Sequence, residues 1–178
     1  LYDQTAEYFP KAKIGYAFTE PLIYPHLIDS LQYAKEKNLY TSITTNALTL
    51  KQKAKSICDA GLNDIFISLD GPEEIHNQIR GHKSSFQKAI EGIDELLKHS
   101  PRPNISIFCV ITEWNIGHLK EFADYFKKFP LKQLGFMHTN FTPDFIVVNH
   151  NKIYGEKYPA TISNTEQIEI SQMNLKVL

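Results

Sequence analysis

At 178 residues, 42% of them hydrophobic, the chain has the length of one domain and enough apolar side chains to bury a sizeable core. Lys and Arg number 19 against 20 Asp and Glu, a formal net charge of -1, which argues against a nucleic-acid or membrane-surface partner. No run approaches the ~20 apolar residues of a membrane span, and no charge block or low-complexity tract favours disorder.

Leu1 to Pro10 carries acids and tyrosines and lacks the apolar core of a secretion signal. Because the chain starts with Leu rather than Met, a fragment or a chain whose early residues are missing is expected. Strand and helix signals then alternate. Lys13 to Ala17 reads as a short strand. Pro25 to Lys37 follows a helical period, with Leu27, Ile28, Leu31 and Ala34 on one face. Tyr40 to Thr45 is β-branched and aromatic, hence a strand. Thr49 can cap a helix to about Ala60, ended by Gly61. Asp64 to Leu69 is the next strand, apolar on both faces. Ser84 or Ser85 can cap a helix through Leu97. Ile105 to Ile111 is a strand, Asn115 opens a helix to about Phe129, and Gln133 to His138 is the last clear strand. From Phe141 the signal weakens, so residues 1–140 form the core and 141–178 an appendage without assigned structure.

Five strands joined by helices imply an α/β fold of parallel strands linked by right-handed crossovers. An open doubly wound sheet and a partial TIM-type barrel both fit. The two cysteines, Cys58 and Cys109, stand in no CxxC and read as buried thiols. Two are too few for a disulfide scaffold, so a reducing cytoplasmic setting is expected.

Ligands of parallel α/β folds sit at the carboxyl ends of the strands. There the sequence places Phe18-Thr19-Glu20-Pro21, Thr44-Thr45-Asn46, Ser68-Leu69-Asp70-Gly71-Pro72, Thr112-Glu113-Trp114-Asn115 and His138-Thr139-Asn140. Short hydrogen-bonding groups on one rim suit a polar ligand, although each residue singly is also a good cap or turn former. Glu20 differs: it precedes a proline, so it is non-helical, and its carboxylate needs a donor from a ligand amine or a Lys/Arg partner.

In this order the residues resemble the radical SAM superfamily. Phe18-Thr19-Glu20-Pro21-Leu22 resembles its GGEPL motif and Ile43-Thr44-Thr45-Asn46-Ala47 its TNG strand end. Ile67-Ser68-Leu69-Asp70-Gly71-Pro72 with His76 and Ile79-Arg80-Gly81 resembles ISLDGP…H…RG, and Val110-Ile111-Thr112 with Asn115 resembles IT..N. The nearest flavour is the branch of anaerobic sulfatase-maturating and peptide-modifying enzymes.

The resemblance implies strands two to six of a partial (β/α)6 barrel, with helices outside. It also implies a [4Fe–4S] cluster held by a CxxxCxxC loop after the first strand. S-adenosylmethionine (SAM) is bound to that cluster and reductively cleaved to a 5′-deoxyadenosyl radical that abstracts hydrogen from substrate. Carried over by resemblance, Glu20 accepts from the SAM amine and Thr19 offers backbone contacts. Ser68 and Arg80 hold the carboxylate, and Asn46 and Asp70 face ribose or substrate. The backbone at Ile111 and the end of the fifth strand at Met137 and His138 line adenine, with His138 and Asn140 on the substrate side. Alternatively, Arg80 merely pairs with a surface acid such as Glu73 or Glu74.

No catalytic residue or metal ligand is assigned in this chain. The partners implied are a small-molecule or peptide substrate and an electron donor such as a flavodoxin or ferredoxin.

Three departures stand out. Phe18 and Thr19 replace two glycines, so φ < 0 is expected there. Ala47 replaces another glycine. CxxxCxxC is absent, and its expected place is before Leu1. An N-terminally incomplete radical SAM enzyme, inactive alone, is therefore the first reading. A cluster-free, non-catalytic barrel serving as a binding or interaction module is the second.

Overall fold

The computed structural model describes residues 1–138 and 144–161. Five strands form one sheet in the order β1 to β5: β1 Lys13–Tyr16, β2 Tyr40–Thr45, β3 Asp64–Ser68, β4 Asn104–Ile111 and β5 Gln133–His138. Every neighbouring pair is parallel. All five carboxyl ends therefore lie along one rim, as the strand–helix alternation implies.

The helices are α1 Tyr2–Tyr8, α2 Leu27–Glu36, α3 Leu50–Asp59, α4 Glu73–Ile79, α5 Ser85–Leu97, α6 Leu119–Phe126 and α7 Asp144–Tyr154. Three of these, α1, α4 and α7, fall where the sequence pattern indicated no helix. The α4 helix is one short amphipathic segment behind the Asp70-Gly71-Pro72 turn, too brief to show a period. The helix expected from Asn115 to Phe129 instead begins as a 3-10 turn at Ile116–His118 and runs as α6 only to Phe126. Thr49 and Ser84 stand at N-cap positions without a side-chain capping bond. Gly61 does take the left-handed φ of 81° that ends α3.

The core lies between the helices and one face of the sheet. Ile43, Ile65, Ile67, Ile107 and Cys109 are completely buried there. They pack with Leu50, Ala54 and Ile57 of α3 and Ala89 and Ile93 of α5. The other face carries Ser42, Thr44, Phe66, Ser68, Phe108 and Val110, which are half-buried or exposed. The strand at Asp64 carries apolar side chains on both faces but is covered on one only: burial alternates from Ile65, because the helices cover one side. The faces meet differently at the amino ends. There the buried Asp64 carboxylate accepts from Asn104 Nδ2 at 2.9 Å and Lys132 Nζ at 3.0 Å, tying β3 to β4 and to the chain entering β5.

Candidate functional site

Glu20 leaves β1 in an extended conformation, φ −96° and ψ 101°, and starts the 3-10 turn at Pro21–Ile23. Its Oε1 accepts from Leu22 N at 3.1 Å and from Thr45 Oγ1 at 2.6 Å, and its Oε2 accepts from Asn46 N at 2.8 Å. The donors are thus backbone and hydroxyl groups of the adjoining rim, in place of the Lys or Arg partner that its position suggested. Three of roughly four acceptor sites of the carboxylate are used. One remains for a ligand. Thr45 Oγ1 also accepts from Ala47 N and Asn46 Oδ1 from Leu48 N. The ends of β1 and β2 are therefore one hydrogen-bonded unit.

Two glycine positions of the motifs keep glycine-like backbone. Phe18 has φ 80° and Ala47 φ 62°. The expected φ < 0 at Phe18 is corrected: the turn into Glu20 demands the left-handed region whichever side chain occupies it, at a cost of about 1–2 kcal/mol. Ala47 is fully buried in the core, whereas Phe18 is fully exposed.

The second unit joins β3 and β4. Asp70 is buried, and its Oδ2 pairs with Arg80 Nη2 at 2.6 Å while Oδ1 accepts from Val110 N at 3.2 Å. Asn115, fully buried, donates from Nδ2 to Asp70 O at 2.8 Å and Val110 O at 2.7 Å and accepts from Thr112 N at 2.8 Å. The partner of Arg80 is therefore Asp70, not a surface acid such as Glu73 or Glu74. The carboxylate of Asp70 is committed to protein donors. Removing one side of such a buried pair leaves an uncompensated charge.

His76 on α4 completes this unit. Its Nδ1 accepts from Asp70 N at 3.0 Å. The neutral ring consequently carries its proton on Nε2. Burial, helped by the charge of Arg80, pulls its pKa down to about 4. Nε2 is buried without a partner among the described residues. His76 lines a cleft of about 230 Å³ with Asn46, Leu48, Arg80, His82 and Ser85. His82 Nδ1 accepts from Ser84 N, so its neutral ring also offers an Nε2 proton. No carboxylate lines this cleft. A buried donor without an acceptor, beside a guanidinium with free N–H groups, fits an acceptor-rich ligand such as a carboxylate.

Of the residues singled out from the sequence, Asn46 and Arg80 meet at this cleft, with Glu20 and Asp70 bonded to the same rim segments. Ser68 ends β3 half-buried on the open face, outside the cleft lining. Thr19 is exposed on the loop before Glu20. Ile111 is 7% exposed and pairs in register with the exposed His138 at the far edge of the sheet. Asn140 lies outside the described residues. The buried Asn115 and the donor at His76 had no role assigned from sequence. Only their place in the IT..N and DGP…H segments marks them.

Cys58 and Cys109 are both buried and free. Burial pushes the Cys58 thiol up, and burial reinforced by the Asp70 charge pushes Cys109 up to about 12. Among the described residues no group of three or more His, Cys, Asp or Glu could hold a metal ion. These residues therefore do not fit as ligands of an iron–sulfur cluster, which needs grouped thiolates. No helix of the described residues is long and apolar enough to cross a membrane.

Residues 3–126 match the model of the radical SAM superfamily. Fe-coproporphyrin III synthase of Methanosarcina barkeri is 25% identical over 120 residues, covering 67% of this chain and 30% of that protein. The serine-type anaerobic sulfatase-maturating enzyme of Bacteroides thetaiotaomicron is 28% identical over 100 residues, or 54% of this chain and 24% of that one. The chain thus spans about a quarter to a third of these relatives. Among solved structures, anSMEcpe with bound AdoMet superposes with a TM-score of 0.63 at 20% identity, over 93% of this chain and 53% of that one. Streptococcus suis SuiB gives 0.65 at 15% identity, over 90% and 40%. The five parallel strands are accordingly part of the partial barrel of those enzymes, and the chain belongs to the radical SAM superfamily, whose members work with SAM and a [4Fe–4S] cluster.

Proposed function

We propose that this domain binds SAM at the carboxyl rim of its sheet and forms part of a radical SAM enzyme acting on a peptide or small molecule. When bound, the family's cofactors supply a 5′-deoxyadenosyl radical that takes a hydrogen atom from the substrate. What this chain contributes is position and charge. Glu20, already ordered by Thr45 and Asn46, offers its remaining acceptor site to the SAM amine. Arg80, held by Asp70, offers its remaining N–H groups to the carboxylate, assisted by the orphaned Nε2 proton of His76. Ser68 on the open face and the Asn46 side chain are assigned to the methionine and ribose portions. Thr19, Ile111 and His138 border the rim and are assigned contacts with the remainder of SAM or with substrate. The cluster ligands and the electron donor, a flavodoxin or ferredoxin, lie outside this chain's residues.

The observation that carries this reading is the cleft lined by Asn46, His76 and Arg80, in which the His76 Nε2 proton is unpartnered among the described residues and no carboxylate belongs to the lining. Arg80→Lys tests it, since a lysine can still neutralise Asp70 but lacks the planar fork. SAM affinity of the full-length protein is expected to fall about tenfold, with little change in unfolding temperature. Unchanged SAM binding would remove Arg80 from the site and favour the alternative, a non-catalytic barrel used as a binding module.

A further inference from the structure

Phe18 combines two costs that nothing among the described residues offsets. Its backbone is left-handed, with φ 80°, and its ring is fully exposed. Ala47 makes a useful contrast: it is equally left-handed, but its methyl group is completely buried in the core. Strain of this kind at a non-glycine residue persists where surrounding structure imposes it, and it concentrates at ligand sites.

The surroundings do impose it. β1 ends at Tyr16, and Glu20, two residues beyond Phe18, is bonded to Thr45 and Asn46 at the end of β2. The loop that carries Phe18 is therefore pinned on both sides at the rim. Its aromatic ring stands on the same short segment as the carboxylate with one open acceptor site. Phe has no polar atom of its own, so what it adds to this loop is an apolar surface and the negative face of an aromatic ring.

We propose that Phe18 is a SAM-binding residue, its ring face taking the sulfonium while Glu20 accepts from the amine. This rests on the reading that SAM occupies the rim at Glu20. The amine and the sulfonium of SAM are separated by a short aliphatic link, which suits an acceptor and a ring carried two residues apart. A methylated sulfonium is a diffuse, weakly hydrated cation, the class that aromatic faces recognise in quaternary ammonium ligands. A glycine at this position offers no such surface. The exposed ring of the free protein becomes covered on binding, so its cost is recovered in the complex.

The test is to measure binding of SAM and of S-adenosylhomocysteine to the full-length protein, together with thermal unfolding. The second probe keeps the ammonium, carboxylate and adenosine but replaces the sulfonium by a neutral thioether. Phe18→Gly is expected to weaken SAM by about fivefold and S-adenosylhomocysteine by less than about twofold. The unfolding temperature is expected to hold or rise as the backbone strain is relieved. Phe18→Tyr is expected to retain SAM affinity, and Phe18→Leu only part of it. Equal loss for both probes, or none for SAM, overturns the proposal. Glu20→Gln separates the two levels. If it weakens SAM while Phe18→Gly does not, the role of Phe18 fails and the rim reading stands. If it leaves SAM binding unchanged, the rim reading itself fails.

Discussion

The two cysteines show how environment sets chemistry at the scale of a residue. A thiol serves as a metal ligand through its thiolate. Cys109 is fully buried, with its pKa pushed up to about 12 by burial and by the nearby Asp70 charge, and Cys58 on α3 is raised by burial too. Each is a small apolar filler of the core rather than a ligand. Cys58→Ser and Cys109→Ser are therefore expected to leave the iron and sulfide content of the reconstituted full-length protein unchanged. Each costs some stability through a buried hydroxyl. Loss of iron in either folded variant would show that the thiol reaches a cluster. Glu20 stands at the opposite extreme, a carboxylate that three protein donors hold in place at the rim.

At the scale of the element, the contact between α3 and α5 braces the sheet behind the rim. Gly92, within α5, lies against Leu50 at the start of α3. A Cβ at Gly92 would stand 2.7 Å from Leu50 Cβ and 2.8 Å from its Cγ. Those atoms sit close to the backbone and cannot swing aside, so one helix must move. Gly92→Ala should gain about 1 kcal/mol in helix propensity but lose about 1–3 kcal/mol to overpacking. A net fall in unfolding free energy, measured by denaturant titration, is expected. Gly15→Ala on β1 provides the control, because its nearest neighbour, Ser42 Oγ, is 3.6 Å away. A Gly92→Ala variant more stable than the parent would mean that α3 and α5 are not closely packed.

Across the whole molecule, acid should loosen the fold before it reaches the ordinary carboxylate range. His76 is buried and neutral, with its pKa lowered to about 4 against about 6.5 unfolded. Between those values the unfolded chain binds more protons, so stability falls as pH falls, by about 2 kcal/mol at pH 5. Asp64 adds to this at lower pH. Desolvation raises its pKa, but hydrogen bonds from Asn104, Lys132 and Tyr40 outweigh that and hold it below the usual value. Its contribution is present above the unfolded pKa and disappears as pH drops through the folded one. Unfolding temperatures at pH 7 and pH 5 should therefore differ clearly for the parent. They should differ less for His76→Asn, which keeps an acceptor for Asp70 N without a titrating ring. A parent as stable at pH 5 as at pH 7 would contradict a neutral, buried His76.

The strand order and the helices α2, α3, α5 and α6 were legible in the sequence, as α1, α4 and α7 were not, because they are written in local patterns: Tyr40 to Thr45 and Gln133 to His138 are strands over those same residues in the fold. The motif order along the rim was legible too, and it pointed to the family. What the tertiary structure alone decided are pairings between residues far apart in the chain. Asn46 N reaches Glu20, Val110 N reaches Asp70, and Asn115 bridges β3 to β4. Arg80 turned to Asp70 rather than to Glu73 or Glu74 because the buried carboxylate needs the charge more than a solvated one does. The left-handed backbone at Phe18 and Ala47 was likewise hidden, since side-chain identity argued against it while the turns imposed it. A local pattern specifies which element forms. Which donors, acceptors and strained turns meet at the rim depends on how the packed elements hold distant segments against one another.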